Sequence, residues 1–248
     1  MPNLLPRVLR GGLKTSVGAM EAVNRRLSRV GNRAIFETAA FPWIPEVESQ
    51  WRAIRSELDA VLRYPGGIPN FQDISVEQKA ITNDDRWKTF FFYGYGARND
   101  FNCEICPATA HALSAIPGMK TAFFSILFPR KRIPRHRGPY NGVLRYHLGL
   151  MVPEPERCGI IVDGVEARWE EGKSLVFDDS FQHEAWNDGE RMRVILFVDF
   201  LRPLREPAAR INKTFVRIAG MSEFIQAGLK RQEKWNAAFA ELYNQNHG

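Results

Sequence analysis

Apolar positions recur along this chain at two different periods. Val47, Trp51, Ile54, Leu58 and Val61 are spaced by four and three, one stripe of an amphipathic helix. Pro42 and Pro45 lead into it, and Pro65-Gly66-Gly67 ends it. Trp87 to Tyr93 is an aromatic run that predicts a strand, and Pro107 to Ile116 predicts a short helix stopped by Pro117-Gly118. From residue 120 the texture changes. Runs rich in β-branched and aromatic residues cover 120–128, 143–152, 158–163, 174–178 and 191–201, and Asp163-Gly164 signals a hairpin. After Pro203 the pattern is helical again, with Trp235, Phe239 and Leu242 on a terminal amphipathic helix.

No amphipathic helix fits between the β runs, so parallel βαβ winding is not expected. The chain reads as mainly β with flanking helices: an antiparallel double sheet, a jelly roll or related barrel. In 143–152 the even positions Leu144, Tyr146, Leu148, Leu150 and Val152 are apolar or aromatic, and the odd ones include Arg145, His147 and Gly149. In 191–200 Met192, Val194, Leu196, Val198 and Phe200 alternate with Arg191, Arg193, Ile195, Phe197 and Asp199. Period two places each set on one face. One face is core; the other mixes cations with apolar residues, as the wall of a half-polar pocket does. The expected organisation is a basic arm over 1–36, a β-rich domain over 37–203 and a helical extension over 204–248.

Composition changes the picture only once it is divided along the chain. The 248 residues carry a formal charge of +6. Residues 1–33 hold seven Lys/Arg and one acid, residues 202–234 hold eight and three, and residues 34–201 hold 19 and 23. The excess lies in two flanks around a slightly acidic body, which argues against a basic cleft for nucleic acid. Leu4, Leu5, Val8, Leu9 and Leu13 can share a face opposite Arg7, Arg10 and Lys14. That segment is either a membrane-surface helix or a solvated arm. Its cations interrupt any signal-peptide core, and no apolar run reaches the roughly 18 residues of a membrane span. The expected location is cytoplasmic, with peripheral contact at the inner membrane surface through 1–33. Cys103, Cys106 and Cys158 are too few for a disulfide scaffold. Cys103-x-x-Cys106 lacks the further ligands zinc needs and reads as structural thiols.

Five histidines are available. His111, on a short helix, and His247, in the tail, are taken as non-catalytic. His136 and His183 each precede a strand and form the natural imidazole pair for a non-haem iron site. The carboxylate that usually completes such a site would stand two residues after the first histidine, where this chain has Gly138. Arg193, on the mixed face, suits the far carboxylate of a dicarboxylate cosubstrate. Arg145, His147 and Ser125 can serve the same ligand. The competing reading pairs the arginines with Asp178, Asp179 or Asp199.

The stretches His136-Arg-Gly-Pro-Tyr-Asn-Gly-Val-Leu-Arg145-Tyr-His147-Leu-Gly-Leu150, Trp169 to Trp186 and Arg193-Val-Ile-Leu-Phe-Val-Asp199 resemble the aspartyl/asparaginyl β-hydroxylase family, over roughly residues 84–203. The resemblance implies an Fe(II)- and 2-oxoglutarate-dependent dioxygenase on a double-stranded β-helix. It implies His136 and His183 as iron ligands, with Gly138 where the acid would be. It also implies Trp87, Ser125, Arg145, His147 and Arg193 as cosubstrate contacts. A basic residue found in some members is Val143 here. The substrate expected first is the β-carbon of aspartyl or asparaginyl residues in a peptide or amino acid, to which Gly138 leans. The alternatives are a lipid A-type acyl-chain hydroxylase at a membrane and a non-catalytic β-barrel binding module. Partners are that substrate and O2; nucleic acid is not expected.

Overall fold

The computed structural model describes residues 7–246, with side chains from residue 17 onward. The expected apolar face of Leu4 to Leu13 and the reading of His247 lie outside what is described. The described strands are β1 (Ile35–Phe36), β2 (Trp87–Gly94), β3 (Ala97–Arg98), β4 (Met119–Leu127), β5 (Lys131–His136), β6 (Val143–Met151), β7 (Cys158–Val162), β8 (Val165–Ala167), β9 (Ser174–Phe177), β10 (His183–Asn187) and β11 (Arg193–Leu201). The α-helices are α1 (Arg7–Leu27), α2 (Ile44–Ser49), α3 (Trp51–Val61), α4 (Phe71–Ile74), α5 (Asp100–Ile105), α6 (Pro107–Ser114), α7 (Ala208–Gly220) and α8 (Glu223–Gln245).

The strands form two antiparallel sheets. The larger runs β1-β9-β6-β11-β4-β2-β3 and the smaller β5-β10-β7-β8. This is the expected jelly-roll architecture. Alternation along β6 and β11 divides the apolar residues between two clusters. Leu144, Tyr146, Leu148, Val194, Leu196 and Val198 pack outward on α2, α3 and α6. Phe123, Phe177, Ile195 and Phe197 face the smaller sheet with Ile133, Ile160 and Ala185. The Phe90-Phe91-Phe92 run splits the same way, Phe90 and Phe92 outward and Phe91 inward. Cys103 and Cys106 are buried in the outer cluster, and burial raises both thiols above their usual range. Asp163 and Gly164 both take positive φ, 51° and 81°, which closes the β7–β8 hairpin.

Three sequence expectations need correction. The stripe from Val47 to Val61 is two helices, because Gln50 leaves helical dihedrals at φ −94°, ψ 0°. His136 and His183, expected just before strands, are themselves strand residues; His136 ends β5 and His183 begins β10. The second half of the basic arm is docked. Asn24 Nδ2 donates to Tyr140 Oη at 2.9 Å and to Asn141 Oδ1 at 3.1 Å, and Asn141 Nδ2 donates to the Glu21 carbonyl at 3.0 Å. The loop between β5 and β6 would otherwise bury these amides without partners.

Candidate active site

The short register between β5 and β10 creates the site. His136 and His183 are Cα partners across the two strands, and their ring centroids lie 4.2 Å apart. Each imidazole is held from behind. His136 Nδ1 lies 2.8 Å from the Pro134 carbonyl, and His183 Nδ1 lies 2.9 Å from the Phe181 carbonyl. A carbonyl only accepts, so each Nδ1 carries the hydrogen and each Nε2 keeps its lone pair. Burial lowers both, and the nearby Arg145 charge adds to it, taking His183 down to about 3. Both rings are therefore neutral near pH 7, the form that ligates metal. Among the described residues no three His, Cys, Asp or Glu side chains converge for a metal. A metal bound between these rings would hold two imidazoles and no protein carboxylate.

Opposite the pair, the larger sheet presents side chains in cross-strand rows. They run Trp87–Leu127–Arg193, Ser125–Ile195–Gly149, Phe123–Phe197–His147 and Thr121–Asp199–Arg145. The first end is closed and the last is the mouth: Arg193 is 2% exposed, whereas the Arg145 and Asp199 side chains are 19% and 21% exposed.

The two arginines have opposite fates. Arg145 Nη2 meets Asp179 Oδ2 at 2.8 Å, its Nε donates to Asp199 Oδ1 at 3.0 Å, and its guanidinium lies 4.3 Å from the Phe197 ring centre. Its charge is thus already answered, as the competing reading had it. Arg193 makes no ion pair among the described residues, and its Nε is buried without a partner. One Nη reaches the Ser125 carbonyl at 3.5 Å, and Trp169 offers its ring face at 4.3 Å. Burial lowers Arg193 to about 10, so it stays a cation at neutral pH. A buried, unanswered cation is costly and calls for an anion.

His147 points to the same anion. Trp169 Nε1 donates to His147 Nδ1 at 3.2 Å. An indole only donates, so in the neutral ring the hydrogen sits on Nε2. That Nε2 is buried and has no partner. Burial, then Arg145 and Arg193, hold His147 well below its ordinary range, so it stays neutral. Trp87 Nε1 donates to Ser125 Oγ at 3.0 Å, which leaves the hydroxyl hydrogen free to donate. Arg193, His147 and Ser125 are three donors with unmet capacity on one wall. They fit the carboxylates of the dicarboxylate expected from the sequence.

Trp169 was not singled out from the sequence, although it holds both His147 and Arg193. It sits between Arg168 and Glu170, outside any alternating pattern. The one signal was Gly149: a Cβ there would run into the Glu170 carbonyl, so glycine lets the 169–171 segment press against β6. Asp179 was named only as an ion-pair partner. Burial raises its carboxyl, Arg145 opposes that, and Asp199 and Asp178 add to it.

Comparison with known proteins adds four findings. Residues 48–203 match the family profile of aspartyl/asparaginyl beta-hydroxylase. The chain is 47% identical over 220 residues to the ornithine lipid ester-linked acyl 2-hydroxylase of Rhizobium tropici, covering 88% of this chain and 78% of that protein. It is 35% identical over 179 residues to the aspartyl/asparaginyl beta-hydroxylase of Homo sapiens, 70% of this chain but only 23% of that protein. Among solved structures, a Pseudomonas putida prolyl-4-hydroxylase aligns with a TM-score of 0.42 at 17% identity, covering 61% of this chain and 87% of that one.

Proposed function

This chain belongs to the aspartyl/asparaginyl β-hydroxylase family, and from that membership we propose that it is an Fe(II)- and 2-oxoglutarate-dependent oxygenase that hydroxylates an unactivated C–H bond of a lipid acyl chain. The observation that carries the cofactor reading is the pairing of two neutral imidazoles with a buried cation that has no counter-ion. His136 and His183 would hold the iron through Nε2, and Arg193, Ser125 and His147 would hold the carboxylates of 2-oxoglutarate. When bound, iron and 2-oxoglutarate couple oxidative decarboxylation of the oxo acid, with O2, to oxygen insertion into a C–H bond.

The chain's own part is positioning and exclusion of water. The Pro134 and Phe181 carbonyls fix both imidazoles in one tautomer. Trp169 orients His147 so that its Nε2–H faces the ligand, and Trp87 turns the Ser125 hydroxyl hydrogen outward. The stacked Phe123 and Phe197 rings, 4.2 Å apart, and Phe91 close the wall against water.

Two features support a lipid substrate. The 47% identity spans 220 residues, so it extends beyond the family profile into the flanks. Arg145, at the mouth, is neutralised by Asp179 and Asp199, and position 143 is a valine, so neither of these positions offers a free cation to an acidic side chain. Hydroxylation of a peptidyl or free aspartate or asparagine, the first expectation from the sequence, is the second reading; the human relative favours it. Its argument from Gly138 is weakened, because the Asp179 carboxylate excludes a side chain at 138 for steric reasons alone.

The test is mass spectrometry for a +16 Da product in lipid, peptide and amino-acid fractions, with Fe(II), 2-oxoglutarate and O2 supplied. We expect the product among lipids. A product confined to peptides would reverse the two readings. Succinate formation that depends on iron and oxygen, and is lost in His183→Ala, separates both from a non-catalytic binding module.

A further inference from the structure

The side of α7 turned away from the body is apolar and basic at once. Ala208, Asn212 and Val216, four apart, are buried against the body. Asn212 Nδ2 donates to the Gly142 carbonyl at 2.7 Å, and its Oδ1 accepts from Tyr140 Oη at 2.8 Å, which fixes the helix on the loop between β5 and β6. At about 100° per residue, Ile211 and Ile218 share an outward face, and Arg210 and Arg217 share the strip beside it. Ile218 is 62% exposed and Met221, in the turn after the helix, 69%; Phe224 and Ile211 are exposed as well. From Arg205 to Phe224 there are four cations and two acids, Glu206 and Glu223. Exposed apolar residues flanked by cations on one convex helix are the pattern of a helix that lies in a lipid interface.

This face adjoins the mouth. A Cβ built on Gly220, the last residue of α7, would lie 3.6 Å from Tyr95. The Tyr95 backbone N–H reaches Thr121 Oγ1 at 3.4 Å, and Thr121 begins the row that runs through Asp199 to Arg145. The end of α7 is therefore one residue removed from the open end of the site.

We propose that the outward face of α7 and the α7–α8 turn form a docking surface for an anionic lipid bilayer, holding the mouth of the site at the level of the acyl chains. The purpose assigned to this surface rests on the lipid reading above; the binding itself does not. The charge argues for the occupant: Arg210 and Arg217 lie beside the apolar strip, Arg210 shared with Glu206 at 3.5 Å, and the positive excess of this segment attracts acidic headgroups.

The test is flotation of the full-length protein with vesicles of phosphatidylcholine, with and without phosphatidylglycerol. Two variants are compared, Ile218→Ser/Met221→Ser/Phe224→Ser and Arg210→Glu/Arg217→Glu. All five side chains are on the surface and none lines the site. We expect binding to the anionic vesicles that salt weakens, with each variant reduced about tenfold or more. Succinate formation in solution should be unchanged, which shows that both variants fold. Wild-type protein that does not float, or variants that float equally well, would overturn the proposal. So would a concentration-dependent dimer that the apolar variant abolishes, which would assign the face to a second copy. Lipid hydroxylation in detergent without flotation would sink this surface alone; flotation without any lipid product would sink the substrate reading alone.

Discussion

The Asp179 carboxylate fills the space that a side chain at Gly138 would need, while the Gly138 N–H donates to the Asp179 carbonyl at 2.7 Å. The position where a third, acidic metal ligand would stand is thus closed from the outside. Gly138→Asp should not create that ligand. Both Gly138→Asp and Gly138→Ala should lower stability by about 1–3 kcal/mol through overpacking, measured by urea unfolding. A Gly138→Asp protein as stable as the wild type, with tighter iron binding, would show that Asp179 yields easily.

Arg193 is buried with no counter-ion among the described residues. Replacing it with methionine removes a desolvated charge and keeps most of the volume. Arg193→Met should leave the thermal midpoint of the ligand-free protein unchanged or higher. The KM for 2-oxoglutarate should rise about thirtyfold or more, the loss expected for a charge-assisted contact, with a smaller change in kcat. A lower midpoint together with an unchanged KM would make Arg193 a structural residue.

Arg202 and Asp178 form an ion pair whose side chains are both fully buried. Arg202 also donates to the carbonyls of Asn141 at 2.7 Å and Gly31 at 3.1 Å, tying together the arm, the loop after His136 and the loop before His183. Arg202→Met alone should cost about 3–5 kcal/mol, because it strands a buried carboxylate. Arg202→Met/Asp178→Leu should recover a large part of that in denaturant unfolding. A double variant as weak as the single one would place the loss in the lost carbonyl contacts.

Lys131, at the start of β5, is buried and pairs with Asp84 at 2.9 Å. Burial raises the Asp84 carboxyl, but bonds from Lys131 and Arg86 outweigh it and hold Asp84 at about 2, below the usual 3.8. A depressed carboxyl adds stability that is present above its unfolded value and lost as pH falls through the folded one. Asp84→Asn should therefore cost about 1–2 kcal/mol at pH 7, after allowance for its partial exposure. The gap to wild type should close between about pH 4 and pH 2. Urea unfolding across that range checks it; a gap that persists at pH 2 would point to something other than the charge.

Much of the fold was legible because the larger sheet obeys period two. In β6 and β11 the even positions are almost all large and apolar, so one face had to be core. The short strands were not legible. Lys131 to His136 and His183 to Asn187 hold four apolar residues between them, Ile133, Pro134, Ala185 and Trp186, too few to show an alternation. Their strand state comes from pairing with each other and with β7.

By itself the sequence determined the face that carries Arg145, His147 and Arg193, which follows from period two. Residue type and spacing only suggested His136 and His183 as a pair, and the family resemblance carried that expectation further. What each cation does was decided only in three dimensions. Asp179 lies on a loop and Asp199 on a neighbouring strand, and both close on Arg145; among the described residues no carboxylate closes on Arg193, which meets only the ring of Trp169 and the Ser125 carbonyl. Whether a buried charge is answered depends on where the chain returns. Long-range strand pairing sets that, and local pattern does not record it.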